Sequence, residues 1–200
     1  MLPSRITKVY SQIVVTLGVI ADTHIPDRQR GLHPAVIPIF QKASVEFILH
    51  AGDISVPAVI RQLEEVAPVY AVRGNRDWLR FRELPLTRVL HFEGINLGLT
   101  HGHGGVRTYL LDKVNYIRRG LMASRVIKAR AITMLPSDVD VVVFGHNHFA
   151  YNQIEAGVLI FNPGSTCCPI PRSSPPSIGL LHIDGSQVRA EIIKLDEKRL

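Results

Sequence analysis

A chain of 200 residues with 46% hydrophobic and 20% charged side chains can bury a sizeable core and is too apolar for extended disorder. No apolar run reaches the roughly 18 to 20 residues of a membrane span, and the only cysteines, Cys167 and Cys168, are adjacent, which argues against a disulfide-built secreted scaffold. The +6 formal charge admits a nucleic-acid partner but is unevenly spread: from Gly104 to Pro136, Arg107, Lys113, Arg118, Arg119, Arg125, Lys128 and Arg130 face Asp112 alone.

Met1 to Gln12 reads as a short N-terminal extension, and residues 13–200 as a single domain. Arg5 and Lys8 ahead of the apolar run Ile13 to Ala21 imitate a signal peptide. Cleavage there would remove a core strand and leave Asp22 at a ragged terminus, so a leader is rejected and a cytoplasmic location expected. Ile13 to Ile20 predicts a buried, β-branched strand ending directly in Ala21-Asp22-Thr23-His24. After a polar loop, His33-Pro34 opens a helix to about Lys42, and Val45 to Ala51 is a second strand closed by Gly52-Asp53. Pro57 suits the first turn of a helix reaching about Val66, because its missing N–H costs nothing there. Pro68 to Val72 is a short strand ending in Arg73-Gly74-Asn75-Arg76-Asp77.

Arg88 to Phe92 and Ile95 to Thr100 flank Glu93-Gly94 as a hairpin, and the second arm runs into His101-Gly102-His103. Val106 to Leu135 is helical in pattern, with Val106, Leu110, Val114, Ile117 and Leu121 spaced for one face and Gly120 as a break. Val139 to Phe144 is a core strand that Gly145 turns into His146-Asn147-His148; on extended backbone, positions two apart point the same way. Tyr151 to Glu155, Val158 to Phe161, Ser177 to Ile183 and Gln187 to Leu195 form a closing run of antiparallel strands, with Asn162-Pro163-Gly164-Ser165 opening a Pro-rich loop between them. Strand–helix alternation early and hairpins late predict two sheets packed face to face with helices outside, and polar tips gathered beyond the strands' carboxyl ends.

Those tips collect Asp22, His24, Asp53, Asn75, His101, His146 and His148. Carboxylate, amide and imidazole donors without thiolates suit Mn, Fe, Zn, Ni or Co, with manganese foremost, rather than calcium or a structural zinc. Seven donors exceed the need of one ion. With one bridging carboxylate they make two four-ligand sites, an arrangement that turns water into hydroxide and grips phosphate oxygens in an in-line displacement.

The motifs Asp22-Thr23-His24, Gly52-Asp53, Gly74-Asn75, His101-Gly102-His103 and Gly145-His146-Asn147-His148, in this order, resemble the calcineurin-like metallophosphoesterases. The short length and Asn162-Pro163-Gly164-Ser165 are similar to the small, single-domain prokaryotic phosphodiesterase branch. The resemblance implies an α/β four-layer α-β-β-α sandwich with two mixed β-sheets, the metallo-dependent phosphatase fold. It also implies two divalent transition-metal ions: Asp22, His24, Asp53 and His148 on one, Asp53, Asn75, His101 and His146 on the other, with Asp53 bridging. The expected activity is a phosphodiesterase with a monoesterase side activity, acting on a small phosphate ester through a metal-bridging hydroxide.

Many members of that family carry a histidine after Gly-Asn to protonate the leaving oxygen, where this chain has Arg76. Arginine is no general acid near neutral pH but clamps phosphate bidentately, so Asn75 and Arg76 are expected to orient the ester and aryl leaving groups to be favoured. His103 or a metal-bound water is the expected substitute donor. Asp77 is read as a loop-capping carboxylate. Cys167 and Cys168 are read as buried small hydrophobes ahead of a pair brought to the site by the Pro-rich loop, Trp78 and Phe81 as packing residues ahead of a lid over substrate, and His33, His50, His91 and His182 as structural or surface. The basic segment 107–130 is either a solvated face or a rim that steers polyanions. A nuclease using that segment and a non-catalytic protein-binding scaffold stand as alternatives, and a homodimer through exposed helix faces is compatible with the pattern.

Overall fold

The computed structural model describes residues 14–92, 94–119 and 124–195; the expected N-terminal extension, Ile13, Glu93 and the break at Gly120 lie outside them. Strand β1 (Val15–Ile20) is buried along its whole length, as its uninterrupted apolar run requires. It is followed by α1 (Val36–Lys42), β2 (Phe47–His50), α2 (Pro57–Glu64) and β3 (Val69–Ala71), the alternation the sequence predicts. Pro57 occupies the first turn of α2, as expected. The hairpin is β4 (Thr87–Phe92) with β5 (Ile95–Thr100), and α3 (Val106–Arg119), α4 (Ser124–Thr133) and β6 (Val141–Val143) come next. The chain closes with β7 (Tyr151–Glu155), β8 (Val158–Asn162), β9 (Ser177–Asp184) and β10 (Gln187–Lys194).

Two five-stranded mixed sheets result, ordered β10-β9-β1-β2-β3 and β4-β5-β6-β8-β7. In the first, β1, β2 and β3 run parallel while β9 lies antiparallel against β1, with Val19 opposite Leu49 on one side and Gly179 on the other. In the second, β5, β6 and β8 run parallel and hairpin partners flank them. The closing strands are therefore not one antiparallel run. β8 is parallel to β6, and the loop after Asn162 carries β9 and β10 across to the first sheet.

Three apolar clusters separate four layers. Leu17, Val19, Leu49, Leu97, Leu99, Val141, Val143 and Phe161 fill the space between the sheets. Ile20, Ile48, Phe40, Val59 and Leu63 seat α1 and α2 on the outer face of the first sheet. Ile127, Ala131 and Leu135 seat α4 on the second against Val142, Phe144 and Ile160. The alternation Leu17/Val19 inward and Gly18/Ile20 outward is the period-two pattern of a strand buried on both faces. Gly18 has a packing reason: a Cβ there would lie 2.9 Å from the Phe40 ring. This is the α-β-β-α sandwich that the resemblance implies.

Helix α3 departs from expectation. Its spacing predicts a buried apolar face, yet Leu110 and Val114 are more than half exposed, and among the described residues α3 contributes no buried residue to the cluster that seats α4. A polar tie joins α3 to α4: Arg130 makes a bidentate pair with Asp112 at 2.6 and 3.1 Å. Among the described residues, no helix is long and apolar enough to cross a membrane.

Candidate metal centre

The predicted tips do converge, but not by strand pleat. β1 ends at Ile20 and β6 at Val143, so Asp22, His24, His146 and His148 lie beyond the strands. Together with Asp53 they adopt left-handed backbone, with φ of 53°, 48°, 72°, 58° and 56° for Asp22, His24, His146, His148 and Asp53. Such conformations cost about 1–3 kcal/mol each in non-glycine residues and persist where surrounding bonds over-determine them. Here the bonds are visible. Asp22 N–H donates to Gly52 O at 3.0 Å, His24 N–H to Asp53 O at 3.1 Å, and His146 N–H to Asp22 Oδ2 at 3.0 Å. The shared direction of residues two apart thus comes from repeated left-handed turns.

The side chains face one another through their acceptor atoms. His101 Nδ1 lies 2.7 Å from Ala51 O and His148 Nδ1 lies 2.7 Å from Cys168 O, contacts that need the proton on Nδ1 and leave the Nε2 lone pairs directed inward. Inside, His101 Nε2 is 3.1 Å from Asn75 Oδ1 and 3.5 Å from Asp53 Oδ1. His148 Nε2 is 3.4 Å from Asp22 Oδ1 and 3.1 Å from His24 Nε2, which is 3.7 Å from Asp53 Oδ2. Asp22 Oδ1 and His146 Nε2 are buried with no hydrogen-bond partner among the described residues. Two sets of donors, Asp22 with His24 and His148, and Asp22 with Asp53 and His101, each converge within 4.8 Å. Buried acceptors that meet lone pair to lone pair require a cation between them, so the residues fit divalent metal.

Electrostatics point the same way. Burial lifts the Asp22 carboxyl to about 8, against the pull of His101, and lifts Asp53 to about 7 with help from the like charge of Asp77. Burial also holds the imidazoles neutral, His24 down to about 2 and His101, His146 and His148 below their ordinary value, with His103 at about 3. Neutral imidazoles are competent ligands, and carboxylates without a counter-charge are what added cations would relieve.

Several residues turn out differently from their sequence reading. The Arg76 guanidinium reaches the exposed Asp27 at 2.8 Å, while the Arg76 backbone N–H donates to Asp53 Oδ1 at 2.8 Å. His103 stands beside the donors, its ring 5.3 Å from that of His101, and is buried. Asp77 caps loops as expected, accepting from Ser55 N–H and Gly74 N–H at 2.8 Å each. Phe81 packs in the core, but Trp78 is 40% exposed and does not. Cys167 and Cys168 are not buried hydrophobes; they are half-buried on the loop beneath Asp22 and His148. His50 is buried and structural, accepting from Gly52 N–H at 3.2 Å, whereas His91 is exposed.

Sequence reasoning missed the floor of the site. Thr23 hydroxyl donates toward Asp53 O and Ile54 O, Ser165 hydroxyl donates to Asp22 O at 2.9 Å, and Asn162 Nδ2 donates to Gly145 O and Asn147 Oδ1. Tyr109, whose ring lies 6.4 Å from that of His146, was missed too. Only the run Asn162-Pro163-Gly164-Ser165 carried a signal for any of these.

Fold and site together define an α/β sandwich with a carboxylate–imidazole pocket suited to divalent cations. The chain belongs to the calcineurin-like phosphoesterase superfamily, whose domain model matches residues 15–186. It is 36% identical over 178 residues to a probable metallophosphoesterase of Methanothermobacter thermautotrophicus, covering 89% of this chain and 91% of that one. A phosphodiesterase of Methanocaldococcus jannaschii is 26% identical, with 89% and 99% covered. In fold the chain resembles Vacuolar Protein Sorting 29 from Cryptosporidium parvum, with a TM-score of 0.68 at 20% identity over 93% of this chain and 94% of that one.

Proposed function

We propose that the protein is a two-metal phosphodiesterase acting on small phosphate esters. The observation that carries this reading is Asp22 Oδ1: fully buried, without a hydrogen bond among the described residues, and within 4.0 Å of the Nε2 atoms of His24, His101 and His148. Asp22, His24, Asp53 and His148 would hold one ion, and Asp53, Asn75, His101 and His146 the other. The bridging role of Asp53 is supported by its two oxygens, Oδ2 turned to His24 and Oδ1 to His101. When bound, divalent transition metals, manganese foremost, supply Lewis acidity that activates water and neutralises charge on the phosphate oxygens.

The chain's own groups do the rest. Ala51 O and Cys168 O fix the ring orientation of His101 and His148. Asn75 Oδ1 approaches the centre from the third strand's loop, and the Arg76 guanidinium, 36% exposed at the mouth, is placed to clamp a phosphate oxygen if it exchanges Asp27 for substrate. His103 is neutral at pH 7 and offers the leaving oxygen an N–H rather than a charged acid. Leaving groups that need little protonation, aryl oxides above all, follow from that pairing. The nuclease reading is weaker, because Arg130 and Lys128 of the basic segment are already engaged by Asp112 and Glu155. The scaffold reading is weaker because every expected donor is present.

The test is a matrix of metals against aryl monoesters, aryl diesters, cyclic nucleotides and short single-stranded nucleic acids, on chelator-stripped protein. Hydrolysis restored by transition metals, highest for aryl diesters and abolished in Asp53→Ala, is expected. Metal-independent turnover, or preference for oligonucleotides, would overturn the proposal.

A further inference from the structure

Apart from the metal-binding set, the molecule places two nucleophilic side chains in mutual contact. Cys167 Sγ and Cys168 Sγ lie 2.7 Å apart, although neighbours in sequence ordinarily point apart. The loop that holds them is anchored beneath the centre: Ser165 Oγ accepts from Cys167 N–H at 3.3 Å and Cys168 N–H at 3.1 Å, and Cys167 Sγ approaches Asp22 O at 3.5 Å. Both cysteines are half-buried, so a small reagent can reach them. The Cys168 carbonyl is the acceptor that orients His148.

We propose that Cys167 and Cys168 form a modification site, a dithiol that a low-molecular-weight disulfide converts to a Cys167–Cys168 bond, and that this conversion loosens His148. The coupling to His148 rests on the metal-centre reading above. In the first step one thiolate attacks the small disulfide, forming a mixed disulfide and releasing one small thiolate. The neighbouring cysteine, after losing its proton, attacks the protein sulfur of that mixed disulfide and releases the second. The protein gives up two electrons and two protons, and the reagent leaves as two thiols.

Adjacent Cα atoms are about 3.8 Å apart across a trans peptide, short of the roughly 4.4–6.8 Å of ordinary disulfides. Closing the ring therefore makes the peptide between the cysteines rotate. That rotation turns the Cys168 N–H away from Ser165 and displaces the Cys168 Cα, and the Cys168 carbonyl, in the next peptide, shifts with that Cα away from His148 Nδ1. Loss of such an outer partner typically lowers metal affinity about 10- to 100-fold. A bond closed against this geometry is readily reduced again, so the modification is reversible.

The experiment treats reduced, full-length protein with oxidised glutathione and reads intact mass, then manganese affinity by calorimetry. Wild type is expected to lose two hydrogens in mass and bind manganese about 10- to 100-fold more weakly, with recovery on reduction. Cys167→Ser and Cys168→Ser should each retain a glutathione adduct, and each variant is compared with its own reduced form. Persistent adducts or no reaction on wild type overturn the dithiol; an oxidised protein that binds manganese as tightly as the reduced one overturns the coupling. If reduced wild type binds no manganese, the coupling falls with the metal reading, while the mass measurement judges the dithiol independently.

Discussion

Asp77 is the most informative place to perturb the site without touching a proposed ligand. Its carboxylate is fully buried and clasps two loops at once, Oδ1 accepting from Ser55 N–H beside Asp53 and Oδ2 from Gly74 N–H beside Asn75. Asp77→Ala orphans both donors, and a buried donor left unsatisfied costs about 1–3 kcal/mol, so a loss of about 2–6 kcal/mol is expected. Asp77→Asn retains one acceptor oxygen and should lose about half as much. Removing the negative charge also relieves repulsion of Asp53, which offsets part of the loss in stripped protein but does not restore the two hydrogen bonds. Urea unfolding of chelator-stripped protein gives the comparison, read as a shift in midpoint at unchanged slope. Equal midpoints for wild type and Asp77→Ala, or a larger loss for Asn than for Ala, would refute the clasp.

Gly74→Ala should be worse than an ordinary glycine substitution, because the new Cβ would lie 2.2 Å from both Asp53 N and Asp53 Oδ1; calorimetry should detect no tight manganese binding, and near-native affinity would contradict the close approach. Arg130→Ala removes the pair with Asp112 and contacts to Gly102 O and His103 O, and should lower stability by about 1–3 kcal/mol in the same urea assay. The pH dependence of stripped protein has a definite sign. Asp22 and Asp53 are raised to about 8 and about 7, so the stability they contribute is whole below about pH 4 and is lost as pH climbs through those values. His24, His50 and His103, lowered to about 2, 3 and 3, contribute stability above about pH 6.5 and lose it on acidification. Between pH 6.5 and 8 the two carboxylates lower stability as pH rises, while the Cys168 thiol, lowered to about 6 by its contact with Cys167, works the other way. In Cys168→Ser, which removes that opposing group, the melting temperature of stripped protein should fall across this window while that of manganese-loaded protein stays level; parallel curves would count against the carboxylates' lack of counter-charge.

Much of the sandwich was legible because buried strands announce themselves as apolar runs and each ends at a polar tip. Ile13 to Ile20 and Val139 to Phe144 gave their strands within two residues, and the order of Asp22, Asp53, Asn75, His101 and His146 along the chain matches their order by strand. Less legible was anything set by long-range hydrogen bonding. Nothing local to Thr23 or Ser165 says that its hydroxyl will hold a loop distant in sequence, and nothing at Arg76 announces Asp27, 49 residues away. Hydrophobic spacing misled at α3 at Leu110 and Val114, which meet water, while the Asp112–Arg130 pair ties the helix to α4. The cysteines were misjudged for a related reason: composition favours burial, whereas the Pro-rich loop brings them up under His148.

The donors come from both halves of the sandwich: Asp22, His24, Asp53 and Asn75 follow strands of the first sheet, and His101, His146 and His148 follow strands of the second. Any ion gripped by both groups would act as a rivet through the seam, since its affinity would depend on how the two halves are aligned and their alignment on whether it is seated. A substitution deep in the greasy layer between them, far from any ligand, could then register first as weakened ion retention and only afterwards as unfolding.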